Sequence, residues 1–280
     1  MPSEAAVCCA SLVKIYPSAT RETHALRGVE ARFAAGTLTA VTGPSGSGKS
    51  SLLQILALRE RPSGGQLWVL GDDVSTLGGR GLQALRRAHV AWVAQRPTHS
   101  LFGHLTARGN LEQVARLRGA TPTDGDDLLE RLGIAHRGSA RTDALSGGEQ
   151  QRLAVAAALL GAPAVVLADE PTAELDDDSA TLVLAELTRC ATAGSAVIFA
   201  THDARAVRSA DRVLHMRHGV LSTERVAGRA ATAPIDASGR LQLPPDALAL
   251  FPDDRVVIEI TDGQVHLRPP GDDDDDGSPS

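Results

Sequence analysis

Aromatic side chains are scarce in this chain: they make up 2% of its 280 residues, with two Trp, four Phe and a single Tyr. Cysteine is scarce too. Cys8 and Cys9 are adjacent and Cys190 is distant, a spacing that makes neither a disulfide framework nor a metal-ligand set and suits a reducing compartment. A long apolar run is missing. The longest candidate, Leu153–Ala168, falls short of the roughly 20 residues a membrane span needs and is interrupted by Gly161 and Pro163. It predicts an Ala-rich buried helix followed by a buried strand. The opening residues, MPSEAAVCCASLVKIYP, lack a basic segment leading into a long apolar core, so no signal peptide is expected. Basic excess is also absent. The formal charge is −6, of which the run Asp272–Asp276 supplies five, and the nearly neutral remainder gives no electrostatic case for nucleic acid.

What is present is alternation. Over residues 1–225, short apolar runs (LTAVTG, AVVLADE, SAVIFATH) alternate with segments whose apolar residues recur at helical spacing (LEQVARLRG, SATLVLAELTRC). That texture predicts an α/β domain. Residues 226–234 open a small, polar, Pro-containing stretch that reads as a linker. A compact unit follows over 235–270, and the acidic tail 271–280 is expected to be disordered.

The stretch TGPSGSGKSS carries the first chemistry. Gly43, Gly46, Gly48, Lys49 and Ser50 match the phosphate-loop spacing G-x-x-x-x-G-K-[ST]. Glycines let backbone N–H groups curl around a phosphate with no Cβ in the way, and the helix expected over SSLLQILALRE turns its positive end toward it. The whole loop is the expected nucleotide cradle: Gly43, Pro44, Ser45, Gly46, Ser47, Gly48, Lys49, Ser50 and Ser51. Lys49 should reach the β/γ oxygens and Ser50 should ligate Mg²⁺. A second motif follows about a hundred residues on, in ALSGGEQQRLAVAAALL. There Ser146 and Glu149 have the spacing of a capping box at a helix start.

The two motifs together resemble the ATP-binding subunits of ABC transporters over about residues 7–225. The implied fold is a P-loop nucleotide-binding domain, a RecA-like core plus a helical subdomain, followed here by a small, mainly β module. The resemblance implies that Ser146, Gly147, Gly148 and Glu149 of one subunit complete the ATP site of another, giving a homodimer with two composite sites. It implies that Asp169 holds Mg²⁺ with Ser50 and Gln95, and that Glu170 polarises the attacking water. His202 would contact the γ-phosphate, Asp176 would touch the opposite subunit, and Tyr16 would stack on adenine. The patterns THALRGVEARFAAG, LWVLGDDVSTL and HLTARGNLE are similar to the macrolide-export and lipoprotein-release group, except that Ala173-Glu174 stands where that group commonly has Gly-Asn. The cofactors implied are ATP and Mg²⁺. The implied partner is an integral membrane permease on a separate chain, which would hold this chain at the cytoplasmic face of the membrane. The alternative is an ABC ATPase of a mechanotransducing, signalling or regulatory complex.

The 235–270 unit reads as a strand (GRLQLP), a short helix (PDALAL) and a hairpin whose strands RVVIEI and QVHLRP flank Asp262-Gly263, a type I′ turn signal. It resembles the AbrB-like swapped-hairpin module. Residues 229–270 carry four Arg and no Lys against six acidic residues, so the expected role is dimerisation, with no nucleic acid as partner.

Overall fold

The computed structural model describes residues 5–17, 22–119 and 123–226, and beyond them 232, 241, 243, 245–251, 256–261 and 264–270. Most of the expected linker and of the GRLQLP strand, the Asp262-Gly263 turn and the acidic tail lie outside the described residues.

The first sheet is antiparallel, in the order β2-β1-β4-β5, with β1 Ala5–Tyr16, β2 Thr23–Ala34, β4 Gly64–Val69 and β5 Asp72–Asp73. The second has the order β10-β9-β3-β8-β7-β6, with β3 Leu38–Thr42, β6 Val90–Val93, β7 Val165–Asp169, β8 Ala196–Ala200, β9 Arg212–Arg217 and β10 Val220–Val226. Its pairings are parallel except for the antiparallel β9–β10 edge. Strands covered on both faces read as unbroken apolar runs, and every residue of β7 and β8 is buried. Their side chains alternate between two cores, as a period of two requires. Leu167 and Ile198 join the core beneath the antiparallel sheet and α1 (Lys49–Leu56). Val166 and Phe199 join the core on the other face, under the helices.

Those helices are α3 (Ala107–Arg118), α4 (Thr123–Arg131), α5 (Gly147–Leu159), α6 (Asp177–Thr192) and α7 (Ala204–Ser209), whereas α2 (Gly79–His89) joins the first core through Leu85. Local chemistry sets several of their ends. The Thr106 side chain accepts the Gly109 N–H at the start of α3, and Gly119 closes α3 in the left-handed region. Buried Asn110 donates to the carbonyl oxygens of Phe102 and Thr106 and to Thr142 Oγ1, tying α3 to the segment before α5. Arg131 of α4 donates to the buried Glu186 of α6 at 2.9 Å, joining the helical subdomain to the core. Among the described residues no helix is long and apolar enough to cross a membrane.

One helix is shorter than its sequence predicts. The run SSLLQILALRE suggests a helix to Glu60, yet α1 stops at Leu56 and Leu58 adopts φ 57°. The Arg59 N–H then donates back to the Gln54 carbonyl at 2.9 Å. A left-handed leucine is unfavourable, but this one is buried in the core, which offsets the cost. The turn carries Glu60 back toward the end of β1.

Near the C-terminal end, α8 (Pro245–Leu248) precedes a two-stranded sheet of β11 (Val257–Thr261) and β12 (Gln264–Arg268), antiparallel with Ile258 opposite Leu267 and Ile260 opposite Val265. The expected hairpin strands are therefore present.

Candidate functional site

β3 delivers the chain into the phosphate loop, and sterics explain two of its glycines. Gly43 has φ 140°, and a Cβ there would lie 2.1 Å from the Met216 carbonyl oxygen. Gly48 has φ 103°, and its Cβ would lie 2.4 Å from the Ala25 carbonyl oxygen. Neither position admits a side chain. Gly46 differs: nothing lies within 4 Å of its would-be Cβ, so the crest of the loop faces open space. The Lys49 ammonium folds over the loop and donates to the carbonyl oxygens of Gly43 (2.8 Å) and Pro44 (3.1 Å).

This loop forms one wall of a cleft of about 560 Å³. Of the residues expected at the site, Tyr16, Gly43, Ser45, Gly46, Ser47, Gly48, Lys49, Ser50, Ser51, Gln95, Asp169, Glu170 and His202 all line it. Thr23, His24 and Ala25 line it too. They open the THALRGVEARFAAG pattern, which carries no nucleotide-binding signal of its own, and they reach the cleft because β2 runs beside the end of β1.

The carboxylates stand where β7 ends. Asp169 is buried and hydrogen-bonded to Ser50. Burial, helped by the neighbouring Glu170, pushes its carboxyl above the usual Asp range despite Ser50 and Lys49. Glu170 sits at φ 51°, in the left-handed region, with its N–H donating to the Ala200 carbonyl at 3.0 Å. Strain of this kind persists where the surroundings fix it, and the carboxylate meets His202, the second residue past the end of β8. His202 Nδ1 lies 2.9 Å from Glu170 Oε1, and the His202 N–H donates to Oε2 at 3.4 Å. That hydrogen bond, with the carboxylate's charge, lifts the exposed imidazole above its usual pKa.

The residues present fit Mg²⁺ and a nucleotide triphosphate. Among the described residues no cluster of three or more His, Cys, Asp or Glu would hold a metal alone. Ser50 with Asp169 is a two-ligand set, the kind Mg²⁺ uses when phosphates and water supply the rest. Ser47 is buried in the cleft wall, and its hydroxyl has no partner among the described residues. A phosphate oxygen would satisfy it.

The second motif is not part of this cleft. Ser146 caps α5 in a complete capping box: its Oγ accepts the Glu149 N–H at 3.3 Å, and its own N–H donates to Glu149 Oε2 at 2.8 Å. Ser146 and Gly147 are exposed, and nothing lies within 4 Å of a Cβ built on Gly147. Asp176 likewise lies outside the cleft and caps α6, accepting the Ser179 N–H at 2.8 Å, a bond that holds its carboxyl below the usual range. The two caps touch. A Cβ on Gly148 would be 3.4 Å from Leu175, and Arg152 of α5 hydrogen-bonds Ser179.

The ABC transporter family model matches residues 26–173. The chain is 40% identical over 233 residues to a macrolide export ATP-binding/permease protein MacB of Nitrobacter winogradskyi, covering 80% of this chain and 36% of that protein. It is 37% identical over 229 residues to a MacB of Escherichia coli O1:K1 / APEC, covering 79% and 35%. The chain thus spans about a third of the length of these relatives. In structure it is similar to the ATP-binding cassette MJ0796, solved as a post-hydrolysis dimer bound to ADP and Pi, with TM-score 0.75 and 27% identity over 80% of this chain and 100% of that one. It is also similar to a bacterial Atm1-family ABC exporter with ATP bound, with TM-score 0.68 and 25% identity over 81% and 39%. The cleft, the capped second motif and these matches lead to one assignment: the chain belongs to the ABC transporter family, folded as its ATP-binding cassette.

Proposed function

We propose that this chain is the ATP-hydrolysing subunit of an ABC transporter, that two copies close around two ATP molecules, and that closure moves a separate membrane permease. One observation carries the reading. Lys49, Ser50, Asp169, Glu170 and His202 converge on one cleft, while the capped Ser146–Gly148 turn stands outside it with Ser146 and Gly147 exposed. A second copy that brought this turn over the cleft would aim the N-terminal N–H groups of α5 at a bound anion. The dimeric state of the similar cassette supports the arrangement. Bound Mg²⁺ would supply charge neutralisation at the phosphates. Glu170 is the base for the attacking water, and His202, already tied to Glu170, holds that carboxylate's orientation.

A permease would meet the chain at a second cleft. Arg59, Arg86, Arg87 and Arg118 line it with Trp92, and none of the four arginines is ion-paired among the described residues. Such a cleft suits an acidic helix end of a membrane protein, which would keep the chain at the cytoplasmic face of the membrane. The C-terminal hairpin, in the AbrB-like reading, dimerises two chains before ATP arrives. An isolated two-stranded hairpin is marginal in water, and Ile258, Ile260 and Val265 leave its apolar face exposed.

Turnover and co-purification test the reading together. The wild-type chain should hydrolyse Mg-ATP and be pulled from its native membrane with a multi-span protein. Lys49→Ala should lose nucleotide binding. A chain that binds ATP normally without Lys49 would contradict the site.

A further inference from the structure

One side-chain cluster at the Tyr16 end of the nucleotide cleft has no role in the chemistry above. We infer that Glu60 and Lys14 are positioning residues for the nucleotide's base: they clamp Tyr16 in one orientation, at a fixed distance from the phosphate loop, so that its ring is a ready platform for the base. The inference rests on the ATP-site reading.

The clamp starts with the early end of α1. Because Leu58 turns the chain back, Glu60 meets the end of β1, and its Oε2 accepts the Tyr16 phenol hydrogen at 2.7 Å. The same oxygen lies 2.9 Å from Lys14 Nζ. The phenol oxygen is also 3.3 Å from Ser51 Oγ. A phenol has one hydrogen, and the short bond to the carboxylate takes it, so the Ser51 hydroxyl donates in return. Ser51 follows Ser50 on α1. The ring is therefore tethered to the phosphate-loop helix at its first turn and again just beyond its end.

Lys14 completes the clamp from another side. Lys14 and Tyr16 lie two residues apart on β1, and Lys14 Nζ stands 4.9 Å from the ring centroid. Tyr16 lines the cleft and Lys14 does not, so it is the ring, and not the cation, that the cleft presents to a base. Lys14 Nζ also donates to the Arg61 carbonyl at 2.9 Å. Of the chain's 28 cationic side chains only two are lysines, Lys14 and Lys49, and both serve this site. A compact ammonium with three rotatable donors suits a carboxylate, a carbonyl and a ring face at once, where a planar guanidinium fork does not. With the ring already held, binding a base need not order it, and that saving appears as affinity.

The test compares two ligands on the full chain by titration calorimetry: Mg-ATP, which has a base, and Mg-tripolyphosphate, which has none. Glu60→Ala should weaken ATP roughly three- to ten-fold, the scale of ordering one side chain, and leave tripolyphosphate binding unchanged. Tyr16→Phe should weaken ATP by at least this factor, and the double variant by no more than the larger single loss, because losing the phenol already removes the Glu60 tether together with that to Ser51. Since Tyr16 is the only tyrosine, its ring resonance in tyrosine-labelled protein should also move on Glu60→Ala with no nucleotide present. Equal losses for the two ligands, no loss for ATP, additive losses or an unmoved resonance would each overturn the clamp. A wild-type chain that bound neither ligand would instead overturn the nucleotide reading beneath it.

Discussion

Two pairs of neighbouring strands in this molecule share an apolar vocabulary and end in opposite surroundings. β7 and β8, Val165–Asp169 and Ala196–Ala200, bury every residue between two cores. β11 and β12 pair as regularly, yet Ile258 is 62% exposed, Ile260 76% and Val265 62%. In the first pair the chain itself covers both faces, with helices on one side and the antiparallel sheet on the other. In the second, one face carries Ile258, Ile260, Val265 and Leu267, and much of it is left uncovered. The contrast separates two meanings of an apolar strand. One is a core that this chain completes; the other is a surface that becomes a core only against something else. The same distinction holds for chemistry, since the phosphate-loop cleft is assembled within one chain and the Ser146 turn is presented outward.

The comparison can be broken in graded ways. The largest effect belongs to the assembled cleft. Glu170→Gln should reduce ATP turnover by about two to four orders of magnitude, the span of a lost general base, with ATP affinity retained. Near-normal steady-state hydrolysis would remove Glu170 from that role. Next comes the buried pair of strands. Phe199→Ala should destabilise the folded chain by about 3–5 kcal/mol in denaturant unfolding, whereas Ile260→Ser should change it by less than about 0.5 kcal/mol while removing association without nucleotide. Similar costs for the two would erase the distinction between core and waiting surface.

Two smaller effects sharpen it. Burial raises the Asp169 pKa, so the ionised carboxylate is held at a cost until a cation arrives. Asp169→Asn should raise the stability of the nucleotide-free chain by about 0.5–2 kcal/mol and abolish Mg²⁺-dependent hydrolysis; a drop in melting temperature would contradict this. The smallest effect concerns His202, whose pKa Glu170 raises. A raised imidazole pKa stabilises the fold fully below its ordinary value of 6.5, and the stabilisation fades as pH rises through the raised value. Because the ring is largely exposed, screening keeps the contribution small. His202→Ala should therefore flatten the decline in stability above pH 6.5 slightly, as read by thermal melts across pH.

Much of this was legible in the sequence, for identifiable reasons. β7 and β8 appear as apolar runs and β3 as an apolar-rich one, and the Gly43–Ser50 spacing and the Ser146–Glu149 capping box are local patterns that the backbone realises directly. The antiparallel sheet was harder to read. β1 and β2 alternate buried and exposed residues imperfectly, with register shifts between Cys9 and Leu12 and again between Leu12 and Val13, so a period of two is blurred. The early stop of α1 was hidden because Leu58 carries neither the glycine nor the proline that normally marks a helix end. Glu60 thus reaches Tyr16, and His24 the cleft, through a turn and strand pairing that no spacing announces. The hairpin strands were visible in the sequence, and what covers them is not written there.

The central claim is that the exposed Ser146 turn acts on the cleft of a second copy. The most direct measurement is sedimentation of the Glu170→Gln chain lacking residues 229–280, with and without Mg-ATP, beside the same chain carrying Ser146→Arg. The account predicts a monomer without nucleotide, a dimer with Mg-ATP, and a monomer that still binds ATP once Ser146 is replaced. A Ser146→Arg chain that dimerises with ATP as fully as its parent would contradict it.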